Sequence, residues 1–238
     1  MTTLWSAPYD ATMPRRHLRF LALFAALIIA ALTSCSAVEE QRLTLPDGTR
    51  LLADSATAMR TVNTTHVIID VQGDVPGVQL RSADGLLTRD GSAKGTAKMD
   101  FGRQILEVEF VSIGDKRYVR IPPSGFQLWP TAVYDPSIIL NPDRGIASAL
   151  ASGKEATTEA REQVGGVDSY RLQVNFPAQP LSPLLSTFVP GPPQDRTGQV
   201  WIAAQGSRLM QAQFPATNGS ITVRFSEFDD PVEITPPA

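Results

Sequence analysis

Few residues in this chain of 238 could do chemistry. There is one cysteine, Cys35, and two histidines, His17 and His66. A single thiol excludes an internal disulfide framework and any thiolate zinc cluster, and two histidines leave no His-rich metal site. A histidine-based nucleophile would have to be built around His66, which stands at the head of an alternating segment beside Thr64 and Thr65. No G-x-S-x-G elbow accompanies it. Glu107 and Glu109 form the other candidate pair. On one strand face their i,i+2 spacing puts them about 7 Å apart, inside the range of an inverting glycosidase pair. Acids on the polar face of an amphipathic strand are ordinarily solvated, and the Glu pair and His66 both read more simply that way. Asp229-Asp230 precedes Pro231 and reads as a turn. Asp84-Gly85 and Asp90-Gly91 are turn signals without EF-hand spacing. Trp129 and Trp201 suit a ligand wall or, more commonly, core packing. No catalytic set, metal site or cofactor is expected.

The cysteine is informative by position. Arg15, Arg16, His17 and Arg19 form a basic cluster, and Phe20 to Leu32 is an uncharged apolar run of 13 residues. A bilayer core needs roughly 20, so the pattern reads as a signal peptide. Leu32-Thr33-Ser34-Cys35 resembles the lipobox of bacterial lipoproteins, which implies diacylation of the Cys35 thiol and cleavage before it. Two acyl chains supply the stable anchoring that one cannot, at about 0.8 kcal/mol per buried CH₂. Residues 1–34 are therefore expected to be the signal peptide, with translation starting at Met13 and residues 1–12 outside it. The Arg15-Arg16 pair also hints at twin-arginine export, although ordinary secretion fits the flanking residues better. Residues 35–42 are the lipidated N-terminus and a polar tether, and 43–238 one domain. The product is exported and held on the plasma membrane, facing the periplasm or cell wall. The formal net charge of -3 gives no footprint for nucleic acid.

The elements behind the tether follow from periodicity. Leu51, Leu52, Ala56, Met59 and Val62 recur at helical spacing and predict a helix over 48–62. From His66 the period becomes two: Val67, Ile69 and Val71 alternate with polar neighbours, and Val75-Pro76-Gly77 turns into a strand over 78–89. Leu106, Val108 and Phe110 oppose Glu107 and Glu109, and Gly114-Asp115 turns into Tyr118–Ile121. Pro136 and Pro142 open a helical stretch containing Ile146, Ala147 and Leu150. Gly165-Gly166 predicts a hairpin joining 157–164 to 169–176, where Tyr170, Leu172, Val174 and Phe176 alternate with Arg171, Gln173 and Asn175. A Pro-rich stretch from Pro180 to Pro193 holds one short helix around Leu181–Phe188. Strands over 198–204, 209–214 and 220–228 follow, with Asn218-Gly219 as a hairpin signal. Ten or eleven strands with short turns make an antiparallel sheet. A sheet that wide curls, and the helices are the elements available to cover its apolar side. The fold class is α+β, a large curled antiparallel sheet.

The chain also resembles the mycobacterial LppX/LprA/LprF/LprG lipoprotein family. The most specific stretch is Tyr134-Asp135-Pro136-Ser137-Ile138-Ile139-Leu140-Asn141-Pro142-Asp143-Arg144-Gly145. Supporting blocks are Gly73–Val78, Gly95–Met99, Gly165–Arg171 and Val200-Trp201-Ile202 before Leu209, in the same order and spacing. The resemblance implies a half-barrel of the LolA/LolB kind, with helices on the concave face enclosing an apolar cavity. It implies that acylated lipids or glycolipids are carried from the plasma membrane toward outer envelope layers. It also implies that Ala97 faces the cavity. Strand parity then adds Met99, and alternation adds Val67, Ile69 and Val71, Leu106, Val108 and Phe110, Leu172, Val174 and Phe176, and Ile221, Val223 and Phe225. The alternatives are an anchored partner of an envelope transporter or assembly complex with a packed interior and no cargo, and, last, an envelope hydrolase.

Overall fold

Burial along the first strand alternates as its sequence does. Thr65, Val67 and Ile69 are buried, while His66, Ile68 and Asp70 between them are only partly covered. That strand, β1 (Thr64–Gly73), is followed by β2 (Leu80–Thr88), β3 (Ala93–Phe101), β4 (Gln104–Ile113), β5 (Lys116–Arg120) and β6 (Gln127–Trp129). The second series is β7 (Lys154–Val164), β8 (Val167–Phe176), β9 (Arg196–Ala203), β10 (Leu209–Ala216) and β11 (Gly219–Ser226). The computed structural model describes residues 45–102, 104–130, 136–179 and 194–237. The expected signal peptide, Cys35, the tether, the Tyr134-Asp135 part of the family stretch and the helix around Leu181–Phe188 lie outside them.

All the described strands join one 11-stranded sheet in the order β6-β5-β4-β3-β2-β1-β11-β10-β9-β8-β7. Each series runs as an antiparallel meander, and the two are sewn together where β1 pairs with β11, His66 opposite Ser226 through Gly73 opposite Gly219. The sheet does not close, because β6 and β7 remain as edges. The hairpin at Gly165-Gly166 forms as its dipeptide predicts, with φ of 57° and 83° at the two glycines, the left-handed geometry of a two-residue turn. Asp84-Gly85 does not turn. Both residues lie inside β2, with Asp84 opposite Thr96 and Gly85 opposite Gly95. The strand expected from Thr157 begins at Lys154, and an irregularity between those residues hides its first part from a period-two reading. β6, three exposed residues long, has no alternation to read.

Helix α1 (Gly48–Met59) starts where Asp47 accepts a hydrogen bond from the Arg50 N–H at 2.7 Å, a side-chain N-cap. It buries Leu52, Ala56 and Met59. Two arginines take up its end: Arg208 donates to Ala58 O at 2.7 Å and Arg89 to Arg60 O at 2.6 Å. After a short 3₁₀ turn (Pro136–Ile138), helix α2 (Ile146–Ser152) buries Ala147 and Leu150. The two helices pack on each other and on β7, β8 and β9. They therefore cover one half of the inner face and leave the half made by β2 to β5 without a helix among the described residues. No described helix is long and apolar enough to cross a membrane.

Candidate functional site

The uncovered half of the sheet is hollow because of what its strands lack. On the inner face of β2 and β3, Ala83 stands opposite Ala97 and Gly85 opposite Gly95, four positions with almost no side chain. The backbones approach so closely that a Cβ on Gly95 would lie 2.1 Å from Asp84 O. Larger residues on the flanking strands wall the hollow: Val67 and Ile69 on β1, Val108 and Phe110 on β4, and Val119 on β5. The Phe110 ring lies over Gly85, with Cζ 3.2 Å from where a Cβ would be. The cavity volume is about 450 Å³, within the roughly 300–1,000 Å³ of small-ligand sites. Its few polar walls include Gln79, Ser112 and Arg117. Arg117 donates to Gly114 O at 2.7 Å and to Lys116 O at 3.2 Å, placing its guanidinium at the β4–β5 turn.

A second cavity of about 100 Å³ lies beneath α2. Ile146, Ala149 and Leu150 form its roof, and Phe176 and Phe214, with ring centroids 5.7 Å apart, stand on the sheet side. All its lining residues among those described are apolar, and it shares Val67, Ile69 and Ile139 with the first cavity.

The structure divides the residues expected at a cavity into four groups. Ala97, Met99, Val108 and Phe110 line the first cavity, Phe176, Ile221, Val223 and Phe225 the second, and Val67 and Ile69 both. Leu172, Val174, Val71 and Leu106 line neither. Leu172 and Val174 are fully buried core, because the end of α2 sits directly on β8: a Cβ on Gly153 would lie 2.8 Å from Val174 Cγ1. Val71 is half-buried against the core, and Leu106 is half-buried near the β3–β4 turn. Alternation missed Ala83, Gly85, Leu87 and Ile139, which are cavity walls. The first three were obscured by the turn-like Asp84-Gly85 pair, and Ile139 follows a turn that has no strand period.

The reactive side chains stand on the other face. His66 Nε2 lies 2.7 Å from Asp84 Oδ1, and Nδ1 lies 3.3 Å from Ser226 Oγ. Glu109 is held by Arg120, and Glu107 lies 4.0 Å from Lys98 Nζ. The sheet separates these groups from the hollow. Trp129 lines the first cavity, whereas the Trp201 indole N–H donates to Glu162 at 2.5 Å. Asp229 does more than turn the chain: it accepts from the Asn63 N–H at 2.7 Å and from Arg208 at 2.8 Å. Two carboxyls sit below their usual range. The Thr88 hydroxyl, then the Ser92 N–H, holds Asp90 down, and Arg161 does so for Asp168. Among the described residues no three His, Cys, Asp or Glu side chains gather as a metal site.

An open antiparallel half-barrel with an apolar hollow on its inner face defines the class. The sequence model of the LppX_LprAFG lipoprotein family matches residues 47–234. This chain belongs to that family. It is 34% identical over 238 residues to the lipoarabinomannan carrier protein LprG of Mycolicibacterium smegmatis, covering 95% of this chain and 99% of that one. The LprG of Mycobacterium tuberculosis is 31% identical over 232 residues, covering 94% and 98%. Among solved structures, LprF from Mycobacterium bovis aligns with a TM-score of 0.73 at 22% identity, covering 82% of this chain and 98% of that one. LppX from Mycobacterium tuberculosis aligns at 0.60 and 21% identity, covering 79% and 100%. These two likenesses are of fold.

Proposed function

We propose that this protein is an exported, membrane-anchored carrier that takes the acyl part of a lipid or glycolipid into its hollow half-barrel and delivers it toward outer envelope layers. The observation that carries the reading is the apolar cavity of about 450 Å³ over the Ala83, Gly85 and Ala97 floor. An acyl chain crosses water only when covered, and each sheltered CH₂ contributes about 0.8 kcal/mol. Shelter of that kind needs apolar walls and no reactive group, and the reactive groups lie across the sheet. Relatives named as lipoarabinomannan carriers favour a glycolipid, whose sugar headgroup would remain at the polar walls near Ser112 and Arg117. Cys35 is the acylation site, residues 35–42 the tether, and 43–238 the single lipid-binding domain. The membrane is one partner through Cys35, and an envelope transporter is the natural source or acceptor of cargo.

Native mass spectrometry on the Cys35→Ser variant, purified from its own host, tests the reading by weighing the bound lipid directly. Ala97→Trp places an indole over the floor of the first cavity. The expected result is a folded protein, by circular dichroism, that co-purifies with at least tenfold less lipid, roughly the effect of losing two buried methylenes. An unchanged lipid load would remove the first cavity as the binding site.

A further inference from the structure

The two cavities share one boundary. Val67 and Ile69, neighbours on the inner face of β1, belong to both, and among the described residues outside the sheet Ile139 alone does. Ile139 is held from both sides by its own backbone: its N–H donates to Pro136 O at 3.1 Å, and its carbonyl accepts from the Ile146 N–H at 3.1 Å. The side chain thus hangs from the segment between the 3₁₀ turn and α2, facing the β1 pair. Beyond it the described walls of the second cavity are all apolar. Those walls offer no partner for a headgroup, a charge or a bridging water, which needs two or more polar neighbours.

Resting on the carrier reading, we infer that the two cavities are one acyl channel pinched at Ile139, and that the second cavity receives the methyl end of a chain whose head end lies in the first. The ligand class for the inner chamber is saturated hydrocarbon. Ile139 and the inner chamber then act as a length gauge: chains too short to pass the pinch gain nothing from it. Longer ones gain until the roof of Ile146, Ala149 and Leu150 stops them. Ala212 stands in the wall of the second cavity and not of the first, so enlarging it fills the inner chamber alone.

The test uses the exported chain carrying Cys35→Ser, with lysophosphatidylglycerols bearing myristoyl, palmitoyl, stearoyl and arachidoyl chains as probes. Their affinities are measured by native mass spectrometry and by displacement of a fluorescent fatty acid. Affinity is expected to rise by up to about fourfold per added methylene and then level off. Ala212→Phe should bring the plateau to a shorter chain, leaving the shortest probe unaffected. Ile139→Ala, which only removes atoms, should make the rise start at a shorter chain, and it decides the matter if Ala212→Phe fails to fold. An identical length profile in wild type and Ile139→Ala, or in wild type and folded Ala212→Phe, overturns the gauge while leaving the carrier intact. Binding of no probe and no host lipid by the wild type overturns the carrier reading as well.

Discussion

At the scale of single residues, charge and cavity are kept apart by strand parity. His66, Glu107 and Glu109 alternate with Val67, Val108 and Phe110, so each acid or imidazole comes with an apolar neighbour pointing the other way. The His66, Asp84 and Ser226 contacts and the Glu109–Arg120 pair follow from this: polar groups on one face of an antiparallel sheet find cross-strand partners. Asp90 shows what one such group contributes. Its carboxylate accepts from the Thr88 hydroxyl and the Ser92 N–H in the β2–β3 turn, which lowers its pKa from 3.8. The unfolded chain holds that proton more tightly, so the stabilisation is complete above 3.8 and is lost as pH falls through the depressed folded value. Urea unfolding should find Asp90→Ala less stable than wild type at neutral pH, with the gap narrowing below pH 3.8. A gap that stays constant into acid would mean that the carboxylate charge contributes nothing.

At the scale of elements, the cavity depends on a strand pair that is unusually bare. Gly85 and Gly95 weaken β2 and β3, since a glycine in a strand packs nothing, yet they allow the close approach and the space above it. Gly95→Ala would put a Cβ 2.1 Å from Asp84 O, forcing β2 and β3 apart. Overpacking of this kind costs about 1–3 kcal/mol, and chemical denaturation should show a loss in that range. A neutral result would mean that the two strands are not held as closely as the register requires. The helices act in the opposite sense. By covering β7, β8 and β9 they convert the same alternation that lines a cavity elsewhere into packed core, which is why Leu172 and Val174 are buried beneath them.

At the scale of the whole molecule, a carrier must be stable both empty and full. An open sheet with two apolar cavities leaves stabilisation for a ligand to supply. Binding to the folded state alone adds RT ln(1 + [L]/Kd), about 2.7 kcal/mol at a hundredfold excess over Kd. Stripping co-purified lipid should therefore lower the Tm by several degrees, and adding it back should restore it. An identical Tm for stripped and loaded protein would argue for a packed interior and for the interaction-module alternative.

Much of this architecture is legible in the chain itself. The period-two runs, the Gly165-Gly166 and Asn218-Gly219 hairpins and the absence of long crossovers between most strands dictate an antiparallel sheet with one apolar face. The basic cluster, the short apolar run and Leu32-Thr33-Ser34-Cys35 carry the expectation of export and anchoring. Parity put Val108, Phe110 and Ile221 on the face where the cavities lie, and Met99 there too once the family resemblance had placed Ala97. Alternation, however, says only which face a side chain occupies. Whether Val174 or Val108 meets a helix or a void depends on where α1 and α2 come to rest, and that is set by contacts between residues distant in sequence. The hollow over Ala83 and Gly85 and the pinch at Ile139 likewise exist only when separate segments meet. An alanine or glycine in a sequence says nothing of the space above it until the larger side chains around it are in place.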